Sequence, residues 1–125
     1  MSVRGIRGAT TVNDNSKKSI LEGTKELLIE LRTANKFDTE DIVAIFFSST
    51  PDLNAAFPAA AARELGWNMV PLFGMQEANI KEGLKKCIRI LIQINSNKLQ
   101  AEMKHCYLHE AKGLRKDLID KKGER

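Results

Sequence analysis

No stretch of this 125-residue chain is apolar for long enough to cross a bilayer. Its longest apolar runs, Ile42–Phe47 and Ile90–Ile92, fall far short of the roughly 20 residues that a spanning helix needs. The N-terminal segment MSVRGIRGATTV carries glycines and arginines where a signal peptide would need an apolar core, so a cytoplasmic protein without a membrane partner is expected. Aromatic residues are scarce, with one Trp and one Tyr, which leaves no visible platform for stacked bases. The net charge of +4 comes from scattered residues and from Lys121, Lys122 and Arg125 near the end. It suits a small acidic ligand better than a polynucleotide, and no nucleic-acid partner is expected.

Cysteine and histidine are equally sparse. Cys87 and Cys106 have no metal-like or redox-like spacing and fall within strand patterns, where buried free thiols are the rule. His105 and His109, four apart in an expected strand, would share a solvated face. Two such ligands do not make a metal site, so no metal and no cofactor is expected. A Gly-rich phosphate loop, a nucleophile elbow and an HExxH sequence are all missing.

What is present centres on LKKCIRILIQIN, Leu84 to Asn95. Ile88, Ile90, Ile92 and Ile94 recur at period two, the spacing of a strand, and their β-branching suits a pleated surface. The other face carries Cys87, Arg89, Leu91 and Gln93. A guanidinium so placed in a central strand cannot easily reach bulk water and needs an anionic partner. Arg89 could meet a scaffold carboxylate or leave the sheet at an edge, or it could await an anionic ligand.

Upstream, Ser2–Val12 reads as a first strand with Val3, Gly5 and Arg7 on one face. Gly5 and Gly8 leave room for a close approach to the backbone. Asn15 or Ser16 caps a helix whose apolar stripe is Ile20, Thr24, Leu27, Leu28 and Leu31, ending near Ala34–Asn35. The continuous run Ile42–Phe47 predicts a strand buried on both faces, ending in the polar loop Ser48–Asp52. Phe57-Pro58 opens a short helix, Ala59–Leu65, stopped by Gly66. Met69–Phe73 predicts a strand with Pro71 keeping it at an edge, and Gly74–Glu77 follow it. After the central strand come a short helix, Leu99–Met103, and a last strand, His105–His109. The order β-α-β-α-β-β-β predicts an α/β domain with a mixed sheet and flanking helices. One domain over residues 1–118 is expected, with 119–125 a charged, mobile tail.

The unusual polar positions are Arg7, Arg63, Glu77, Arg89, Tyr107 and Arg115: an anion receptor without a nucleophile, a histidine base or a metal. With RGIRGATT (Arg4–Thr11), SSTPDLNAAFPAAAAREL (Ser48–Leu65), MQE (Met75–Glu77), GLKKCIR (Gly83–Arg89) and HCYL (His105–Leu108), the chain closely resembles the monofunctional chorismate mutases of the AroH class, in order over roughly residues 3 to 118. The resemblance implies an isomerase converting chorismate to prephenate in phenylalanine and tyrosine biosynthesis. It also implies a homotrimer of pseudo-α/β-barrel architecture with sites at the subunit clefts. Carried over by position, Arg89 would donate to the substrate's ether oxygen and a carboxylate, Arg7 and Tyr107 would hold a carboxylate, and Glu77 would accept from the ring hydroxyl. Phe57 would form an apolar wall, with Arg63, Leu114 and Arg115 near the entrance.

Phe73 and Gly74, also expected in the substrate-binding set, stand where threonine and cysteine are usual, and Ala60 stands where lysine is often found. These departures bear on how tightly substrate is held more than on the reaction. Two further readings use the same anion receptor. One is a non-catalytic dicarboxylate-binding protein, and the other an imine deaminase on a similar trimeric scaffold, which would need a water-activating group.

Overall fold

The computed structural model describes residues 1–114, so Arg115 and the expected tail lie outside the described residues. Its elements are β1 (Ser2–Thr11), α1 (Lys17–Asn35), β2 (Ile42–Ser49), α2 (Ala60–Glu64), β3 (Leu72–Gln76), β4 (Cys87–Ser96) and β5 (Cys106–Tyr107), with short 3-10 turns between some of them. The five strands form one sheet in the order β3-β2-β4-β1-β5, which puts the isoleucine strand in the middle. β4 runs antiparallel to both neighbours, while the outer pairs β2–β3 and β1–β5 are parallel, so the sheet is mixed as expected.

Period two decides which face of the sheet is buried. Ile88, Ile90, Ile92 and Ile94 all turn inward with Ile6, Ile45 and Phe47; α1 covers Ile88 with Ile20 and the others with Leu27, Leu28 and Leu31. The Ser16 hydroxyl caps α1 by accepting from the Ser19 N–H, and Lys36 ends it in a left-handed conformation. Gly8 is where helix and sheet come closest: a Cβ there would lie 2.8 Å from Leu31 Cδ1. The room at Gly8 is thus taken by the protein's own helix, while that at Gly5 is bordered by Leu91 on the other face of the sheet. Buried Asn35, at the helix end, donates to the Lys104 carbonyl and accepts from the Lys104 N–H, fixing the chain just before β5.

Three expectations fail in detail. Ile42–Phe47 is buried on one face only: Val43 is exposed and Phe46 half-buried, because no helix among the described residues packs on the face away from α1. An irregularity between Ile42 and Ala44 also breaks the alternation there. The third strand begins at Leu72, not Met69, which is almost fully exposed. Pro71 has no N–H to give, yet its carbonyl accepts from Ile45, so pairing starts at its far side. The last strand is only Cys106–Tyr107, since His109 adopts φ +53 and turns the chain into a 3-10 helix. The two histidines therefore do not share a strand face. His105 Nδ1 accepts from the Arg7 N–H, and His109 Nε2 meets Glu26 at 2.8 Å.

Candidate active site

The open face of the sheet carries several of the polar groups singled out from the sequence. Arg89 on β4 stands directly across from Ser48 on β2 and from Ala9 on β1. Both neighbours are small, so neither side chain lies over the guanidinium. Arg7 follows one pleat along β1, and Tyr107 pairs with Ala9 from the far strand. A depression of about 840 Å³ opens here, lined by Arg7, Ser48, Arg89, Gln93, Tyr107 and Leu114 among others. Arg89 keeps about half its side chain exposed (48%), so the expectation that it could not reach solvent is wrong for the single chain. The strand is central, but the described residues leave much of its outer face open.

Glu77, just past the end of β3, is brought beside Ser48 and Arg89 at the edge of this cleft by register. Its N–H donates to the Ser49 carbonyl at 2.8 Å, continuing the β2–β3 ladder by one residue. Its Oε2 accepts from the Ser48 hydroxyl at 2.6 Å and lies 3.4 Å from Arg89 Nε. The second distance is an ion contact longer than a good hydrogen bond, so the guanidinium is not locked onto the acid. Ser48, expected in a loop, is a strand residue of this cleft. A serine at the edge of a polar run gives no period-two signal, and only the pairing with Arg89 exposes its position.

Beneath Arg89 on the same strand, Cys87 is buried. Burial pushes its thiol up, with the nearby guanidinium of Arg89 opposing, so the group stays protonated and is no nucleophile. Among the described residues no histidine lines the cleft, and no three of His, Cys, Asp or Glu are gathered as metal ligands. Fixed positive charge, a phenol and one carboxylate can bind and orient an anion that also carries a hydroxyl.

The remaining expected residues lie elsewhere. Phe57, Arg63 and Gly74 line a second depression of about 790 Å³, between α2, the Thr50–Phe57 loop and the α1 side of β3. Phe57 is 79% exposed there. Gly74 pairs with buried Phe47 and has nothing within 4 Å of a would-be Cβ, so the position tolerates a side chain. Phe73 is on the open face, edge-on to Phe46, and does not line the Arg89 cleft. Among the described residues neither Arg7 nor Arg63 makes an ion pair. The expected site thus separates into two half-sites within one chain: Arg7, Glu77, Arg89, Tyr107 and Leu114 on one, Phe57, Arg63 and Gly74 on the other. Arg115 lies outside the described residues.

Comparison with known proteins bears on this geometry. Residues 3–118 match the family model described as chorismate mutase type I. Chorismate mutase AroH of Bacillus subtilis (strain 168) is 46% identical over 119 residues, 94% of each chain. Chorismate mutase AroH of Thermus thermophilus is 42% identical over 117 residues, covering 93% of this chain and 96% of that one. A solved chorismate mutase from Clostridium thermocellum superposes with a TM-score of 0.85 at 44% identity, covering 86% of this chain and 96% of that chain.

Proposed function

The chain belongs to the chorismate mutase type I family, and on that premise we propose that Arg89, Glu77 and Arg7 are its catalytic groups and that the cleft above β4 receives the substrate. The protein is an isomerase converting chorismate to prephenate. One C–O bond breaks while one C–C bond forms within the same molecule, and no proton is transferred. No nucleophile or base is called for, and among the described residues no histidine lines the cleft.

The reaction instead needs a flexible dianion held in its compact reactive shape, and charged clamps at both carboxylates provide that restraint. Arg7 and Tyr107 hold one carboxylate and Glu77 accepts from the ring hydroxyl. Arg89 donates to the ether oxygen, where negative charge grows as the bond stretches. A fixed guanidinium there favours the transition state over the ground state. The observation that carries the assignment is the placing of Arg89 on the middle strand, between two small neighbours and only loosely engaged by Glu77.

The enzyme works as a cytoplasmic homotrimer whose sites form where subunits meet. Two features support this reading. The open face presents Val3, Phe73, Met75 and Leu91 to solvent in the single chain, and the expected site is split between two half-sites. A neighbouring subunit would supply Phe57, Arg63, Phe73 and Gly74 to the Arg89 half, with Leu114 and Arg115 at the entrance. Among the described residues no helix is long and apolar enough to cross a membrane.

Mixing two weakened variants tests the shared site. Arg89→Ala and Arg63→Ala, dissociated together and reassembled, should consume chorismate faster than either alone, because some mixed sites recover both arginines. Activity no higher than the average of the two parents would place the whole site in one chain.

A further inference from the structure

We propose that Ser48 is a positioning residue for the mutase reaction: its hydroxyl holds Glu77 at a set distance from Arg89, so that neither charge quenches the other before substrate arrives. The inference rests on the roles given above to Glu77 and Arg89.

Three neighbouring strands carry the three residues side by side. Ser48 lies directly opposite Arg89 in the β2–β4 ladder, and Glu77 extends the β3 edge on the other side of β2. The Ser48 hydroxyl and Arg89 Nε both address the same carboxylate oxygen, Oε2, at 2.6 and 3.4 Å. Oε1 is left to accept from a ligand hydroxyl. The shortest approach of the guanidinium to the acid is through Nε rather than a terminal nitrogen. The terminal nitrogens, which carry most of the donors, are those best suited to reach an ether oxygen and a carboxylate together.

A carboxylate and a guanidinium this close attract strongly, and their preferred geometry is the forked pair through two parallel hydrogen bonds. Such a pair would commit both oxygens of Glu77 and two donors of Arg89. The Ser48 hydroxyl competes for Oε2 with a neutral donor and anchors the carboxylate on the β2 side. Size matters as well, because a larger side chain directly across from Arg89 would lie over the guanidinium. Ser48 supplies a donor at the cost of very little volume, and Ala9 is the small neighbour on the other side. Removing the hydroxyl lets the two charges pair, and each turnover must then separate them.

The test is steady-state turnover of chorismate by the purified full-length enzyme, with wild type, Ser48→Ala, Ser48→Thr, Ser48→Cys, Glu77→Ala and the Ser48→Ala/Glu77→Ala double variant, their melting curves being compared first. Ser48→Ala should lower kcat roughly 10-fold, the scale of one hydrogen bond to a charged group, while KM changes far less. Ser48→Thr, which restores the hydroxyl, should exceed both Ser48→Ala and Ser48→Cys. The double variant should be no slower than Glu77→Ala alone, because a residue acting through Glu77 has nothing left to act on. The proposal is overturned by a Ser48→Ala enzyme at the wild-type rate, by a threonine variant no better than alanine, or by losses that multiply in the double variant. A Glu77→Ala enzyme with full activity would instead overturn the role of Glu77 itself, which separates the two failures.

Discussion

The two faces of β4 obey different rules. Inward, four isoleucines fit a close-packed interior against α1, and every position is explained by the exclusion of water. Outward, Arg89, Leu91 and Gln93 sit on a face that the other described residues leave partly or largely exposed, where exclusion of water does not explain a guanidinium or an amide. On the proposed roles, one strand thus separates stability from chemistry by a half-turn of the backbone. Substitutions one residue apart should therefore fail in different assays.

The sharpest way to break that separation is at Arg89. Arg89→Ala should cut turnover by roughly 10²–10³ or more, the scale of a lost oxyanion donor, while the folded protein survives, because the side chain is half exposed. Arg89→Lys should also be poor, since an ammonium cannot fork to two oxygens. A variant retaining most of the wild-type turnover would refute the assignment. One residue further on, Ile90→Ala should show the reverse pattern. Denaturant unfolding at fixed protein concentration should show a loss of about 2–5 kcal/mol from the emptied space, with near-normal kcat in the fraction that folds. If Ile90→Ala reduced kcat as severely as stability, the two faces would not be independent.

Acid response sharpens the contrast on a smaller scale. Asp52 lies in the loop after β2, where burial pushes its carboxyl up but the Thr50 hydroxyl and the Lys86 N–H more than compensate, holding it below the usual range. Its folded pKa is depressed, so its stabilisation is complete above the unfolded value of about 3.9 and disappears as pH falls through the folded one. Asp52→Asn should therefore melt lower than wild type at pH 7, and the gap should narrow as pH falls below the usual carboxylate range. A gap that persisted there would mean that the loop is held by something else. The smallest effect is on the chemical step. With no acid or base required, kcat should stay nearly flat from about pH 6 to 9 and change little in heavy water. A bell-shaped profile would count against the mechanism.

The same contrast between the faces governs how much of the fold and site is legible in the amino-acid sequence. Isoleucine periodicity places the middle strand, and the stripe Ile20-Thr24-Leu27-Leu28-Leu31 places α1, because burial leaves a repeating mark on sequence. β3 and β5 differ from expectation at their ends because each is set by its partner rather than by its own pattern. Leu72 starts where Ile45 can donate to Pro71, and β5 stops where His109 turns. Glu77 and Arg7 are ordinary residues taken singly, and their placement comes from resemblance, not from spacing. Ser48 gives no sign at all, since its meaning is the pair of charges on either side of it. The separation of the expected residues into two depressions is equally invisible, because no local pattern records which distant segments line the same hollow.

Gly8 has a consequence outside the interior that it serves. It is a notch cut to the width of a methyl group, and α1 rests in it. Any side chain there would lift the helix from the sheet or bow β1 outward, and the next residue along that strand is Arg7. If Arg7 holds one end of the substrate as proposed, that grip is gauged by a missing atom on the opposite side of the sheet. An enzyme altered at Gly8 would be expected to lose its hold on its anion while every charged residue remained in place.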